Sequence, residues 1–399
     1  MAMAEKDEIP DIKALEMLAS SVQITKEQYA SLIVPKIGRI NVDKITLDNG
    51  FMSVDLINYG STITAIRLPD RELKVNDIVL GFDNIDGYLS DKNPYFGATI
   101  GRVCNRISNG SFVINDVKYY LSRNIGENTL HGGVSGFDKK IWKTEITNTN
   151  AVVMSYISPH LEEGFPGQLE TQVRYVLTDN NYLVIKFTAT TNEETPVNLT
   201  NHSYFNLAGH DSGAEGLYEH ELMINANQYT ELDPDTLIPT GKFIDVNETP
   251  FDFREFKNVG KAIESTEGAG FDINFCVRGE DLRTIARLQH EPSGRSLQVF
   301  ANKPGVQLYT SNYVNGIEGK NGAIYDKHAA LCLETQNYPN AINIKNFPSS
   351  LLCPREVYEH ILIYKFRVED QTVSEEEEEE EDDDDKTKKD KRKKDKKKQ

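Results

Sequence analysis

The sequence predicts an all-β protein, a sandwich or a barrel. Three observations carry that expectation. Short stretches of alternating apolar and polar residues recur from Ile40 onward. Asn, Asp, Gly and Pro punctuate them, as in Asp48-Asn49-Gly50, Tyr59-Gly60 and Pro69-Asp70, which is turn chemistry. Few stretches sustain a helical period, and no linker or fixed repeat divides 40–370.

Taken in order, residues 1–36 read as an N-terminal extension. Ile12, Leu15 and Leu18 stand at helical spacing, so a short amphipathic helix is expected near 11–19. It would be marginal alone and would have to dock on the body; a frayed extension is the alternative reading. Residues 37–370 then form one β domain. Strands are expected at 45–47, 52–57, 62–68, 77–80, 111–114, 118–121, 151–157, 171–177, 182–190, 221–224, 285–290 and 297–301. Residues 371–399 form a third region. Seven Glu and four Asp fill 375–385, and ten Lys or Arg fall within 386–398. A segment so charged and so poor in apolar residues is expected to be disordered. Its basic block could act as a nuclear address or meet an anionic surface, and a solvated tail is the plainer reading.

Composition excludes some functions. The formal net charge is −18, of which the last 25 residues carry only −3. An acidic body argues against broad nucleic-acid binding, which needs a basic footprint. Cys104, Cys276, Cys332 and Cys353 follow no zinc or redox spacing, so free thiols in a reducing compartment are expected. No apolar run is long enough to span a membrane, and the N-terminal residues do not read as a secretory signal. A cytoplasmic monomer is the expectation.

Five stretches gather polar groups among glycines and aromatics. Residues 196–207 begin as a strand, with Val197 and Leu199 on one face and Asn198, Thr200 and His202 on the other, and run into Tyr204, Phe205 and Leu207. Such a row is either a surface strand with an incidental histidine or the wall of a polar pocket. Between Phe96 and Gly110, Asn105 and Arg106 stand side by side; forked guanidinium donors beside an amide suit vicinal hydroxyls, or the arginine is a surface turn residue. His131 precedes Gly132 and Gly133, where the chain can turn tightly. Asp272 lies between Phe271 and Phe275, as a turn residue or as an acceptor in an aromatic pocket. Glu334 continues an apolar strand, where a carboxylate is costly unless paired or used.

No nucleophile elbow, zinc-binding helix or dinucleotide fingerprint accompanies these groups. An acid and a base without metal, nucleophile or cofactor suit simple proton transfer.

Seven motifs in one order make the chain resemble the aldose 1-epimerases, the galactose mutarotases. They are Gly101-Arg-Val-Cys-Asn-Arg-Ile107, Asn128-Thr-Leu-His-Gly-Gly133, Glu163-Gly-Phe-Pro-Gly167, Asn198-Leu-Thr-Asn-His-Ser-Tyr-Phe-Asn-Leu207, Ile238-Pro-Thr-Gly241, Pro304-Gly-Val-Gln-Leu-Tyr-Thr310 and Cys332-Leu-Glu-Thr-Gln336. The resemblance spans about 40–368. It implies a large antiparallel β-sandwich with a carbohydrate cleft on one face. It implies interconversion of the α and β anomers of hexoses such as galactose and glucose, with no cofactor and no metal. By motif position, His202 resembles the acid that protonates the ring oxygen, and Glu334 the base that takes the anomeric hydroxyl proton. His131 resembles a second histidine near the ring oxygen. Asn105, Arg106, Asp272 and Gln307 resemble hydroxyl-binding residues, and Tyr204 falls where it can line the same site. Two positions depart from the family pattern, Ile273 in place of His and Pro354-Arg355-Glu356 in place of Pro-Gly-Glu; neither touches the acid–base pair. The rivals are a hexose-phosphate epimerase, which needs a cationic clamp, and a catalytically idle sugar-binding protein, which needs no acid–base pair.

Overall fold

The computed structural model describes residues 9, 11–34 and 38–369. Antiparallel pairing builds its framework. Among the described residues the largest sheet has nine strands, in the order Lys143–Ile146, Val152–Ser158, Leu169–Leu177, Tyr182–Thr191, Tyr358–Val368, Arg295–Ala301, Arg283–His290, Glu221–Ile224 and Lys257–Asn258. A five-stranded sheet runs Pro239–Asp245, Ala226–Leu232, Asp272–Val277, Gly305–Tyr309 and Cys332–Gln336. A second five-stranded sheet, nearer the N-terminus, takes Gln23–Val34, Gly38–Asp48, Ser53–Ile57, Thr62–Pro69 and Val75–Asp77 in chain order.

Side-chain alternation explains how these sheets meet. Along Leu169–Leu177, Leu169, Thr171, Val173 and Tyr175 are buried while Glu170 and Gln172 are exposed, the period of a half-buried strand. One apolar cluster then joins all three sheets. Val173, Ile185 and Leu362 come from the nine-stranded sheet, Phe275, Val306 and Leu333 from the second, and Ile45, Val54 and Ile66 from the third. Each fully buried side chain of this kind contributes roughly 1.5–3 kcal/mol. Sheets sharing one core in this way form a β-sandwich. Helices are subordinate, none of the four exceeding six residues among the described residues.

The N-terminal region is more structured than its sequence suggests. A helix forms at Ile12–Met17, capped by Asp11, whose side chain accepts from the Lys13 amide. Leu15, Ala19 and Val22 enter the main core. Gln23–Val34 is a full edge strand, antiparallel to Gly38–Asp48 with an irregularity between Gln28 and Ala30. Its polar, mostly exposed residues hide it from a search for apolar alternation. The charged segment 371–399, expected to be disordered, lies outside the described residues.

Two strand assignments need correction. Residues 77–80 are not one strand; Val75–Asp77 ends the edge, and Val79 makes a single bridge to Phe205. Residues 196–207 are not a half-buried strand either. Only Thr195–Pro196 and Thr200–Asn201 pair as strands, and Val197, Asn198, Leu199, Thr200, Asn201 and His202 are all buried. The stretch passes through the interior, so Asn198 and Thr200 of its polar row face protein while His202 lines a cavity, the pocket-wall alternative rather than a surface strand. Asn198 shows how that is satisfied: its amide donates to the Asn337 carbonyl at 3.1 Å and its oxygen accepts from the Asn337 amide at 2.9 Å. The four cysteines are unpaired. No helix among the described residues is long and apolar enough to cross a membrane.

Candidate active site

The sheet ending in Cys332–Gln336 carries the centre of the site. Its register sets Gln307 opposite Glu334 and Tyr309 opposite Asp272. Alternation sends Leu333 into the core while Glu334, next along the strand, turns to the opposite face and lines a cavity of about 430 Å³. On that face the polar side chains chain together. Gln336 donates to Asn274 Oδ1 at 3.0 Å and to Gln307 Oε1 at 3.3 Å, and Gln307 donates to Asp272 Oδ1 at 2.7 Å. The other Asp272 oxygen meets the Arg106 guanidinium at 3.4 Å.

His202 reaches the same cavity from the buried stretch. Thr200 and Asn201 pair with Ile100 and Thr99. The His202 amide then donates to the Ala98 carbonyl at 2.9 Å, and its carbonyl accepts from the Gly97 amide at 3.0 Å. With its backbone held on both sides, the ring lies with Nε2 3.6 Å from Glu334 Oε2. That separation exceeds a hydrogen bond. Glu334 Oε2 and His202 Nδ1 are both buried with no hydrogen-bond partner, so each could take one from a ligand.

Asn105 and His131 brace each other. The Asn105 amide donates to His131 Nδ1 at 3.2 Å, and the His131 amide donates to the Asn105 carbonyl at 3.1 Å. An Nδ1 that accepts leaves the proton of the neutral ring on Nε2, so His131 is a donor there. Asn105 spends its side-chain oxygen on the Arg106 amide, 2.9 Å away, leaving its NH₂ as a donor. The turn that presents His131 depends on Gly132, whose φ is +86° and where an added Cβ would sit 2.0 Å from the Gly101 carbonyl oxygen. Gly132→Ala is therefore expected to lower the thermal midpoint and to cost activity by displacing His131. A variant with unchanged melting and turnover would show that the turn is not needed.

All eight residues nominated from the sequence line this one cavity: Asn105, Arg106, His131, His202, Tyr204, Asp272, Gln307 and Glu334. Tyr204 does so differently from a hydroxyl-binding group. Its Oη donates to the Pro94 carbonyl at 2.8 Å, so it presents a ring face to the site. The sequence reading missed Tyr95, Tyr309, Tyr313, Ile125 and Leu237, which also line it. Tyr309 had a signal, since it alternates with Gln307 on its strand. Tyr95 stands one residue before the polar stretch that begins at Phe96. Ile125 and Leu237 lie on loops, with no periodicity to mark them. A neighbouring hollow of about 650 Å³ shares Leu237, Asp272 and Tyr313 but contains neither histidine nor Glu334.

Burial resets the protonation of the centre. It lowers His202 to about 3, with only its own backbone pulling the other way. Burial, together with His202, Arg106 and Lys139, holds His131 well below 6.5. Burial and the nearby Asp272 raise Glu334 well above 4.5, against an opposing pull from Arg106. Ordinary values would make Glu334 a carboxylate and leave His202 half protonated near neutrality. Burial instead keeps both imidazoles neutral near neutrality and shifts the proton balance of the Glu334–His202 pair toward Glu334.

His131, His202 and Glu334 each offer one atom of metal-ligating type, all within 4.8 Å of one another. The tautomer set by Asn105 puts a proton on His131 Nε2, which leaves that atom no lone pair for a cation. The trio fits proton handling better than metal binding.

The chain matches the family model described as aldose 1-epimerase over residues 43–365. It is 45% identical over 349 residues to the galactose mutarotase of Bos taurus, covering 87% of this chain and 99% of that protein. It is 47% identical over 329 residues to the galactose mutarotase of Homo sapiens, covering 82% and 94%. Among solved structures, an aldose epimerase homologue from C. elegans is similar with a TM-score of 0.74 and 31% identity, over 80% of this chain and 96% of that one. A matching family model, a matching sandwich and relatives along nearly their whole length place this chain in the aldose 1-epimerase family.

Proposed function

We propose that the protein interconverts the α and β anomers of aldohexoses, galactose and glucose among them, with Glu334 and His202 as base and acid. The observation that carries this reading is the placement of Glu334 Oε2 3.6 Å from His202 Nε2 in a buried polar cavity. The anomeric hydroxyl and the ring oxygen share one carbon, so a base and an acid serving both must converge on one small volume, as this pair does.

The pair holds a single proton. In the complex, sugar hydroxyls and Arg106 favour the carboxylate, and the proton moves to His202. Glu334 then removes the anomeric hydroxyl proton while His202 delivers its own to the ring oxygen. The bond between the anomeric carbon and the ring oxygen breaks, leaving the open aldehyde, a protonated Glu334 and a neutral His202. Rotation beside the aldehyde and reversal of both transfers close the ring on its other face. Burial favours the neutral pair, which is the form that accompanies the open chain. His131 Nε2–H is available to the ring oxygen, and Arg106, the Asn105 amide, Asp272 and Gln307 to the other hydroxyls. Nothing in the sequence of steps is oxidised, and no group is carried elsewhere.

A sugar phosphate fits less well. Arg106 is the one cationic side chain lining the cavity among the described residues, and Asp272 already engages it. An idle binder would have no need to keep a buried, unpartnered carboxyl. Polarimetry on freshly dissolved α-galactose, α-glucose and glucose 6-phosphate tests the reading. Exchange of both hexoses is expected to accelerate strongly, and that of the phosphate at least about tenfold less. Sugar binding without faster exchange would revive the binder, and preference for the phosphate would revive the other epimerase. We also place the protein in the cytoplasm; its four unpaired thiols, two of them buried, support a reducing compartment.

A further inference from the structure

A histidine that donates protons is usually aimed by a hydrogen bond from its second nitrogen to a carbonyl or carboxylate. His202 has none on another residue, because its Nδ1 is buried without a partner. Two phenol rings pack against the imidazole with near-parallel planes instead. Tyr204 stacks on the imidazole with centroids 5.0 Å apart and planes within 9°. Tyr95 stacks with it at 5.9 Å and 16°. The stacking rings are themselves fixed. Tyr204 is 1% exposed, packs edge-on against Phe96 at 4.9 Å, and ties its hydroxyl to the carbonyl of Pro94, the residue before Tyr95. Tyr95 also contacts His131, with centroids 4.6 Å apart.

Resting on the acid role given to His202 above, we infer that Tyr95 and Tyr204 are positioning residues that clamp its imidazole by their ring faces and stabilise the imidazolium form from which the proton is given. The negative face of an aromatic ring attracts a cation, and parallel planes fix the ring's tilt without using either nitrogen. Both nitrogens thus stay free while Nε2 remains aimed at the cavity. The groups facing His202 from other elements are Glu334 at 3.6 Å, His131 at 5.2 Å between centroids and Tyr309 edge-on at 6.4 Å. Beyond them, Arg106 and Asp272 act on Glu334, and the Lys139 ammonium lies over the Tyr95 ring at 5.2 Å. Lys139 opposes the imidazolium, so the clamp works against a cation beyond Tyr95.

Four variants test this: Tyr95→Phe, Tyr95→Leu, Tyr204→Phe and Tyr204→Leu. Polarimetry gives kcat and KM, and histidine-ring NMR gives the titration of His202 in each protein. Tyr95→Phe keeps the face and should stay within about threefold of wild type. Tyr95→Leu should lower kcat about tenfold or more with KM little changed, and move the His202 titration to lower pH by about half a unit or more. Tyr204→Phe keeps the ring but releases Pro94, so it should lie between wild type and Tyr204→Leu. Equal losses in Tyr95→Phe and Tyr95→Leu would overturn the clamp. So would a Tyr95→Leu effect on KM alone, or an unmoved His202 titration. Should Tyr204→Leu fail to fold, the less deeply buried Tyr95 decides the matter by itself. Failure of the acid role is separate: wild-type protein without faster anomer exchange removes it, whatever the NMR titration shows.

Discussion

Glu334→Gln is expected to lower the turnover of α-galactose at least about a hundredfold, measured by polarimetry. The change keeps size and removes only the ability to take a proton, and a positioned base contributes about 10²–10⁴-fold. The same substitution should leave the fold intact, because Glu334 Oε2 forms no hydrogen bond in the protein. It should even raise the thermal midpoint by a few degrees near neutral pH. Burial raises the folded-state pKa of Glu334 well above 4.5. Folding therefore favours its protonated form, and the stability so contributed is fully present below about 4.5 and is lost as pH rises through the raised value. Glutamine carries no such dependence. The gain in melting temperature should be largest in alkaline buffer and vanish in acid. Loss of activity together with gain of stability separates a working group from a structural one.

His202→Ala should lower turnover by at least about a hundredfold as well, with a different pH signature. Burial lowers the folded-state pKa of His202 to about 3. The unfolded chain then binds the extra proton first, so wild-type stability falls as pH drops from about 6.5 toward 3. The alanine variant lacks that acid sensitivity. The rate profile follows the pair rather than either residue alone. In the proposed mechanism the free enzyme holds one proton on Glu334 and His202 together. A second arrives only near 3, and the first leaves only above the raised value of Glu334. kcat/KM is therefore expected to show no acid limb near 6.5, the ordinary imidazole value, and to decline on the alkaline side. An acid limb near 6.5 would mean that His202 is not desolvated as its burial implies.

Much of the sandwich was legible because half-buried strands announce themselves. Ser111–Ile114 and Glu221–Ile224 appear at the expected bounds, and Tyr182–Thr191 extends its expectation by one residue. What stayed hidden has physical causes. Gln23–Val34 is an exposed edge with little apolar alternation. Ala226–Leu232 and Asp272–Val277 carry Gln228, Glu231, Asp272 and Asn274, polar residues that suggest loops until their partners are known. The stretch 196–207 showed a real alternation whose polar side is buried, with Asn198 against protein and His202 at the cavity, a distinction no single strand reveals. The site itself was readable as a set of residues, and its eight members do converge. Their protonation was not readable, because burial and not residue type decides it. Tyr95 was not readable either, since ring planes meet only in three dimensions.

The central claim is that Glu334 and His202 act as one proton-transfer unit, and a double-substitution cycle tests it most directly. Turnover of α-galactose is measured for wild type, Glu334→Gln, His202→Ala and the double variant. Groups that act as a unit are strongly non-additive. The expected result is a loss of at least about a hundredfold in each single variant, and a double variant no slower than about threefold below the worse of them. Near-wild-type turnover in either single variant, or losses that multiply in the double variant, would contradict it.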